Sequence, residues 1–199
     1  MTKKQILINS LFTENAVWRQ ILGICSALAV TNLLMNSLVM GLGVIFTLAC
    51  SCFTISMLRN YIPNRIRMMV QVLIIASFVI IVDIFLRAFL PNMSKALGPY
   101  VGLIITNCII MGRAEAFALK NTPVNSAIDG IGAGAGYALV LLIIAFFREL
   151  FGFGTLFGVQ VLGAWWTKWS IMVMAPSAFF MLALLMWGVY TLQTKAKKS

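Results

Sequence analysis

Long apolar runs separated by short polar interruptions fill the chain, and within each run the apolar residues are continuous rather than alternating. The run lengths predict membrane-spanning helices at about Val17–Leu34, Ser37–Leu58, Met68–Leu90, Tyr100–Ala118, Gly130–Phe147 and Ser170–Gln193, because about 20 apolar residues cross the hydrocarbon of a bilayer. A transmembrane barrel would need a period of two and is not expected. "NYIPNRIR", "PNMSKALGP" and "LKNTPVNSAID" read as the connections between the second and fifth runs. A longer segment, "RELFGFGTLFGVQVLGAWWTK", leads into the last one. Its Trp165 and Trp166, with Trp169 just beyond, suit the headgroup boundary, where amphipathic rings settle. Met1–Asn9 carries lysines but no short apolar core ending in small residues, so no cleavable signal is expected. The expected class is an all-α integral membrane protein of six transmembrane helices.

Composition agrees. Hydrophobic residues make up 61% of the chain, charged residues 10%, and the mean hydropathy is +0.98, whereas soluble domains carry about 25% charged residues. The formal charge of +10 reads as topology. With six spans both termini share one side, and that side collects eleven basic residues, Lys3, Lys4, Arg19, Arg59, Arg65, Arg67, Arg113, Lys120, Lys195, Lys197 and Lys198. The other side collects four, Arg87, Lys95, Arg148 and Lys168. Basic residues concentrate in cytoplasmic loops, which puts both termini in the cytoplasm and makes membrane lipid the neighbour, with no nucleic acid. The absence of histidine removes His-ligated haem, the usual catalytic triads and histidine proton relays. Cys25, Cys50, Cys52 and Cys108 all fall inside predicted spans, unlike a secreted disulfide framework.

The two halves echo each other. Gly41-x-Gly43 in "GLGVIFTLACSCFTISMLRN" is followed after sixteen residues by Arg59, and Gly130-x-Gly132 in "GIGAGAGYALVLLIIAFFRE" by Arg148 at the same interval. One cysteine precedes each glycine pair, Cys25 by sixteen residues and Cys108 by twenty-two. The chain thus reads as a single polytopic domain, 1–199, of two three-span units, about 17–90 and 100–193. An odd number of spans inverts the second unit, and inverted repeats place functional groups near the midplane on short or broken helices. The first and fourth helices are the expected broken ones, with Gly23 and Ser26 beside one thiol and Thr106 and Asn107 beside the other. Each cysteine lies eight residues into its span, about 12 Å at 1.5 Å per residue, near the centre of a hydrocarbon layer about 30 Å thick.

Two thiols meeting at that depth admit several readings. They are small apolar filler, a disulfide, half of a zinc site or half of an iron–sulfur site, whose four ligands are normally cysteines. Either metal would need a second chain for the rest. Cys50 and Cys52 do not complete a site, because i and i+2 point about 200° apart on a helix; both read as filler. Ionisable groups inside spans are functional candidates by default. Asp83, Glu115 and Asp129 are therefore candidates for a cation path. Against that, Asp83 and Arg87 are spaced as a local i, i+4 pair, Asp129 reads as the cap of the fifth helix, and Arg113 and Glu115, two apart, need separate partners. Arg59 and Arg148 read as interface anchors.

"LGICSALAV", "GLIITNCIIMGRAEAFA", "DGIG", "RELFGFGTLFG" and "APSAFF" together resemble the D-type membrane component of the bacterial sodium-translocating NADH:quinone reductase (NQR), a family whose nearest kin are the matching membrane components of the Rnf complex. "IRMMVQVLIIASFVIIVD" and "MAPSAFF" are more similar to the NQR form. The resemblance implies a protein of the bacterial cell inner membrane that pairs with a paralogous E-type component of opposite orientation. It implies a 2Fe–2S cluster held between them by two cysteines from each, here Cys25 and Cys108, with other NQR subunits carrying the flavins and the NADH site. Electron relay would be coupled to Na⁺ export and quinone reduction. Burying such a cluster calls for backbone amides or helix N-termini facing it. No dinucleotide fingerprint follows a strand here; "GIGAGAG" opens a membrane helix instead. The alternatives are an Rnf-type ferredoxin:NAD electron-transfer subunit and an inverted-repeat secondary transporter with structural cysteines.

Overall fold

A computed structural model of the chain describes residues 5, 7, 10, 17, 20–89, 91–157, 159–160 and 169–198. Among these, four helical segments are long and apolar enough to cross a membrane: Leu34–Leu58, Arg67–Phe89, Tyr100–Ala118 and Pro123–Gly152; Pro176–Leu192 is a shorter apolar helix. The first predicted span lies partly outside the described residues, as do Lys3, Lys4, Arg19, Trp165, Trp166 and Lys168 of the sequence reading.

The described part of the first span is a seven-residue helix, α1 (Ile24–Val30), which begins at Gly23 with φ +87°. Helix α2 (Leu34–Leu58) follows. Its buried positions, including Ser37, Met40, Val44, Leu48, Cys52 and Ile55, recur every three or four residues, the spacing of one helical face. Helix α3 (Arg67–Phe89) buries only Gln71, Ile75 and Val79, a single i, i+4 stripe. Much of the rest of α3 is exposed apolar surface, including Leu73, Ile80, Ile84 and Phe85, as a span on the lipid side requires.

The connection predicted at "PNMSKALGP" is helical, a correction to the sequence reading: α4 runs from Pro91 to Ile105. Pro91 occupies the first helical position, where a missing N–H has no intrahelical partner to lose. The segment then breaks at Thr106–Asn107 and resumes as α5 (Cys108–Arg113), followed by one π turn, Ala114–Ala118. Helix α6 (Pro123–Gly152) starts seven residues before the predicted Gly130, with Pro123 in its first turn. Asp129 is therefore inside α6 and buried, not its cap, which corrects a second expectation. A two-residue antiparallel ladder, β1 (Thr155–Leu156) with β2 (Val159–Gln160), follows α6. The last predicted span is divided at Met174 into α7 (Ser170–Val173) and α8 (Ala175–Lys198).

The centre of the molecule is the packing of α2 against α6. A Cβ on Gly41 would lie 2.9 Å from Ala138 Cβ, one on Gly134 3.0 Å from Ile45 Cα, and one on Gly130 3.1 Å from Ala49 Cα. Each step of four along α2 is matched by a step of four back along α6, so the helices run antiparallel with their backbones in contact. Small residues are what permit this approach in a membrane, where apolar burial gives helices little reason to associate and close van der Waals contact does.

Candidate metal centre at Cys25 and Cys108

The two breaks deliver the two cysteines. Gly23 takes the left-handed conformation and turns the chain into α1, leaving Cys25 as the second residue of that helix. Asn107, in extended conformation, caps α5 by accepting the Ile109 N–H at its side-chain oxygen over 3.1 Å, so that Cys108 is the first residue of α5. Gly23 N–H donates to Cys108 Sγ at 2.8 Å. The Cys108 sulfur thus lies against the start of α1, two residues from Cys25, and the two side chains are close enough to interact. Both cysteines are free; Cys25 is exposed on the outside of the chain and Cys108 half-buried.

Behind the sulfurs sits a buried polar network. Ser26 Oγ donates to Gly23 O at 3.2 Å, receives Asn107 Nδ2 at 3.3 Å and is hydrogen-bonded to the Tyr137 hydroxyl. Ser26 and Asn107 are fully buried and Tyr137 nearly so. Gly23 has no room for a side chain: a Cβ there would meet Ile109 Cδ1 at 2.6 Å and Tyr137 Cε2 at 2.9 Å. Gly23, Ser26 and Asn107 stand out in the sequence by their place beside the thiols. Tyr137 does not, its one signal being a phenol on the glycine-rich stretch of a buried helix.

Among the described residues no group of three or more His, Cys, Asp or Glu side chains gathers to hold a metal. The donor set at the centre is two sulfurs, with one backbone amide directed at one of them and one sulfur exposed at the chain's surface. That set fits half of a four-thiolate site whose other half comes from outside the chain. Cys52 is buried in the core near Arg113 and Asp129, and Cys50 is half-buried.

The three candidate carboxylates do not converge. Asp83 pairs with Arg87 at 2.9 Å, the expected local pair. Glu115 pairs with Arg67 and accepts from Gln71 Nε2 at 3.1 Å. Asp129 pairs with Arg113 at 3.4 Å, both side chains buried, and accepts from Ser10 Oγ. Arg113 and Glu115 thus have separate partners, as their spacing requires. Arg148 is not an interface anchor: it is buried and donates to Thr31 Oγ1 at 2.6 Å and to the carbonyls of Met172, Val173 and Met174. Arg59, at the matching place in the first unit, is half-buried and donates to Asn121 O at 3.0 Å. In each case an arginine near the C-terminal end of a long helix donates to backbone carbonyls of another segment. Glu149, beside Arg148, accepts the Leu34 N–H at 2.6 Å and so caps α2 from another helix.

A family model described as "Rnf-Nqr subunit, membrane protein" matches residues 3–186. The chain belongs to this family. Relatives named as the D component of the Na⁺-translocating NADH-quinone reductase include one from Yersinia enterocolitica, 53% identical over 195 residues, and one from Psychromonas ingrahamii, 51% identical over the same length. In both cases the similarity covers 96% of this chain and 93% of the relative. As an Rnf-Nqr family member with several apolar helices, the chain is a multi-pass membrane protein.

Proposed function

We propose that this chain is the D-type membrane component of a sodium-translocating NADH:quinone reductase, in which Cys25 and Cys108 supply half the ligands of a 2Fe–2S cluster within the bilayer. A paralogous E-type partner supplies the other two cysteines, and further subunits carry the flavins and the NADH site. The observation that carries this reading is the convergence of Cys25 and Cys108, brought side by side by two separate helix breaks, in a chain whose relatives are named for that enzyme. When bound, the cluster would supply one-electron chemistry between NADH oxidation and quinone reduction in an enzyme that exports Na⁺. This chain's residues hold two sulfurs, direct the Gly23 amide at one and leave Cys25 open toward a partner. Asp83, Glu115 and Asp129 are the carboxylates proposed for a cation path, and each is held by an arginine, Arg87, Arg67 and Arg113 respectively.

The same reading takes the two halves as inverted repeats in the bacterial inner membrane, with both termini cytoplasmic. What supports it is the α2–α6 contact. The shift that carries Gly41 onto Gly130 also carries Ala49 onto Ala138, so the contact of Gly41 with Ala138 exchanges with that of Gly130 with Ala49. Ile45 and Gly134, which touch at the crossing, are each other's counterparts under that shift. An Rnf-type role is less well supported, because the relatives cited carry the NQR name.

The test is iron, labile sulfide and quinone reduction in the purified complex, for wild type, Cys25→Ser, Cys108→Ser and a Cys50→Ser control. Loss of two irons per complex and stalled quinone reduction in the first two variants, with the control intact, is the expected result. Unchanged iron in both would end the proposal.

A further inference from the structure

We propose that Tyr137 is a positioning residue of the two-cysteine centre, its hydroxyl locking Ser26 and Asn107 so that the Gly23 amide stays aimed at Cys108. The inference rests on the cluster reading above.

Hydrogen-bond accounting fixes the roles. A serine hydroxyl has one proton to give and two lone pairs to receive. Ser26 gives its proton to Gly23 O and receives Asn107 Nδ2. Its remaining capacity is for a donor, so at the Ser26–Tyr137 hydrogen bond the phenol O–H donates. Asn107 gives its amide to Ser26, the same hydroxyl that Tyr137 holds, while its side-chain oxygen holds the Ile109 N–H. Every polar group of the trio is thereby engaged, as burial demands. One phenol on α6 thus ties the residue next to Cys25 to the residue next to Cys108. The ring adds a steric stop, since Tyr137 Cε2 closes the space above Gly23.

The consequence is electronic as well as structural. Hydrogen bonds to ligand sulfurs are among the determinants of an iron–sulfur potential. A donor held on sulfur favours the more negative, reduced form. Removing the phenol O–H leaves Ser26 underconstrained, loosens Gly23 and weakens the N–H donation to Cys108. The potential is expected to fall while the ligands remain.

The experiment is a redox titration followed by electron paramagnetic resonance on the purified complex, with iron and labile sulfide measured alongside. The signal followed is the one Cys108→Ser removes. Tyr137→Phe is expected to retain iron at the wild-type level, shift the midpoint of that signal to lower potential and alter its g-values. Ser26→Ala is expected to shift it in the same direction, and the double variant no further than the larger single shift, because the two act as one unit. Should Tyr137→Phe not assemble, Ser26→Ala carries the test with the same readouts. A titration superimposable on wild type at full iron content overturns the inference. The two proposals fail separately: iron and signal unchanged in Cys108→Ser would refute the cluster reading, whereas their loss there, with an unshifted Tyr137→Phe, would refute only the role of Tyr137.

Discussion

Gly23 gives its amide hydrogen to the sulfur of Cys108 across 2.8 Å, linking two helix breaks 85 residues apart. The bond depends on a backbone conformation that only glycine adopts freely, at φ +87°. It depends equally on the missing Cβ, which would collide with Ile109 and Tyr137.

Gly23→Ala is therefore expected to destabilise the protein by about 1–2 kcal/mol from the left-handed backbone alone, with the collision adding to it. A lowered thermal midpoint of the complex, together with reduced iron content, checks this. An alanine variant with both at wild-type values would mean that the tight turn is not required.

Arg148 donates to Thr31 Oγ1, between α1 and α2, and to the Met172, Val173 and Met174 carbonyls at the break before α8. Arg148→Ala removes the donor to Thr31 Oγ1 and Val173 O, while Ser177 still serves the Met172 and Met174 carbonyls, and is expected to cost about 3 kcal/mol or more. Arg59→Ala, at a half-exposed site with Asn121 O as its main acceptor, should cost about 1 kcal/mol. Thermal unfolding of membranes carrying each variant measures the contrast, and equal losses would contradict it.

The Arg113–Asp129 pair is buried on both sides. Asp129→Asn leaves the arginine without its counter-charge and is expected to cost about 3–5 kcal/mol, whereas a paired apolar replacement, Arg113→Met with Asp129→Leu, should be milder than either single change. Amounts of folded protein in the membrane, compared for Asp129→Asn, Arg113→Met and the double replacement, provide the check.

A Cβ on Gly134 would lie 3.0 Å from the backbone Cα of Ile45, where nothing flexible can yield. Gly134→Val is expected to push α2 and α6 apart at a cost of about 1–3 kcal/mol. Gly102→Ala, at a position with open space around it, should be neutral or slightly stabilising in the same melting assay.

Much of this arrangement is legible in residue order. The second, third and fourth spans emerge within a few residues of their predicted limits, because each contains a long apolar run flanked by more polar sequence. The cysteine pairing is legible because the glycine spacings repeat. Positions set by tertiary contacts are not. The segments bearing Pro91 and Pro123 read as connections yet are helical, which moves Asp129 from a cap to the interior of α6. The roles of Arg148 and Tyr137 come from partners more than twenty residues away, Met172 for the one and Ser26 for the other, and no local pattern encodes such partners. The divided last span has no signal beyond Pro176, two residues past Met174.

The crossing of α2 and α6 constrains chain length as well as composition. Deleting one residue between Gly130 and Gly134 would turn everything beyond it by about 100° and draw it back by about 1.5 Å. That single excision would swing Gly134 away from Ile45 and, three residues on, carry the phenol of Tyr137 off Ser26. These two helices can absorb many changes of letter, but the count between their contact points is fixed by the thickness of a backbone.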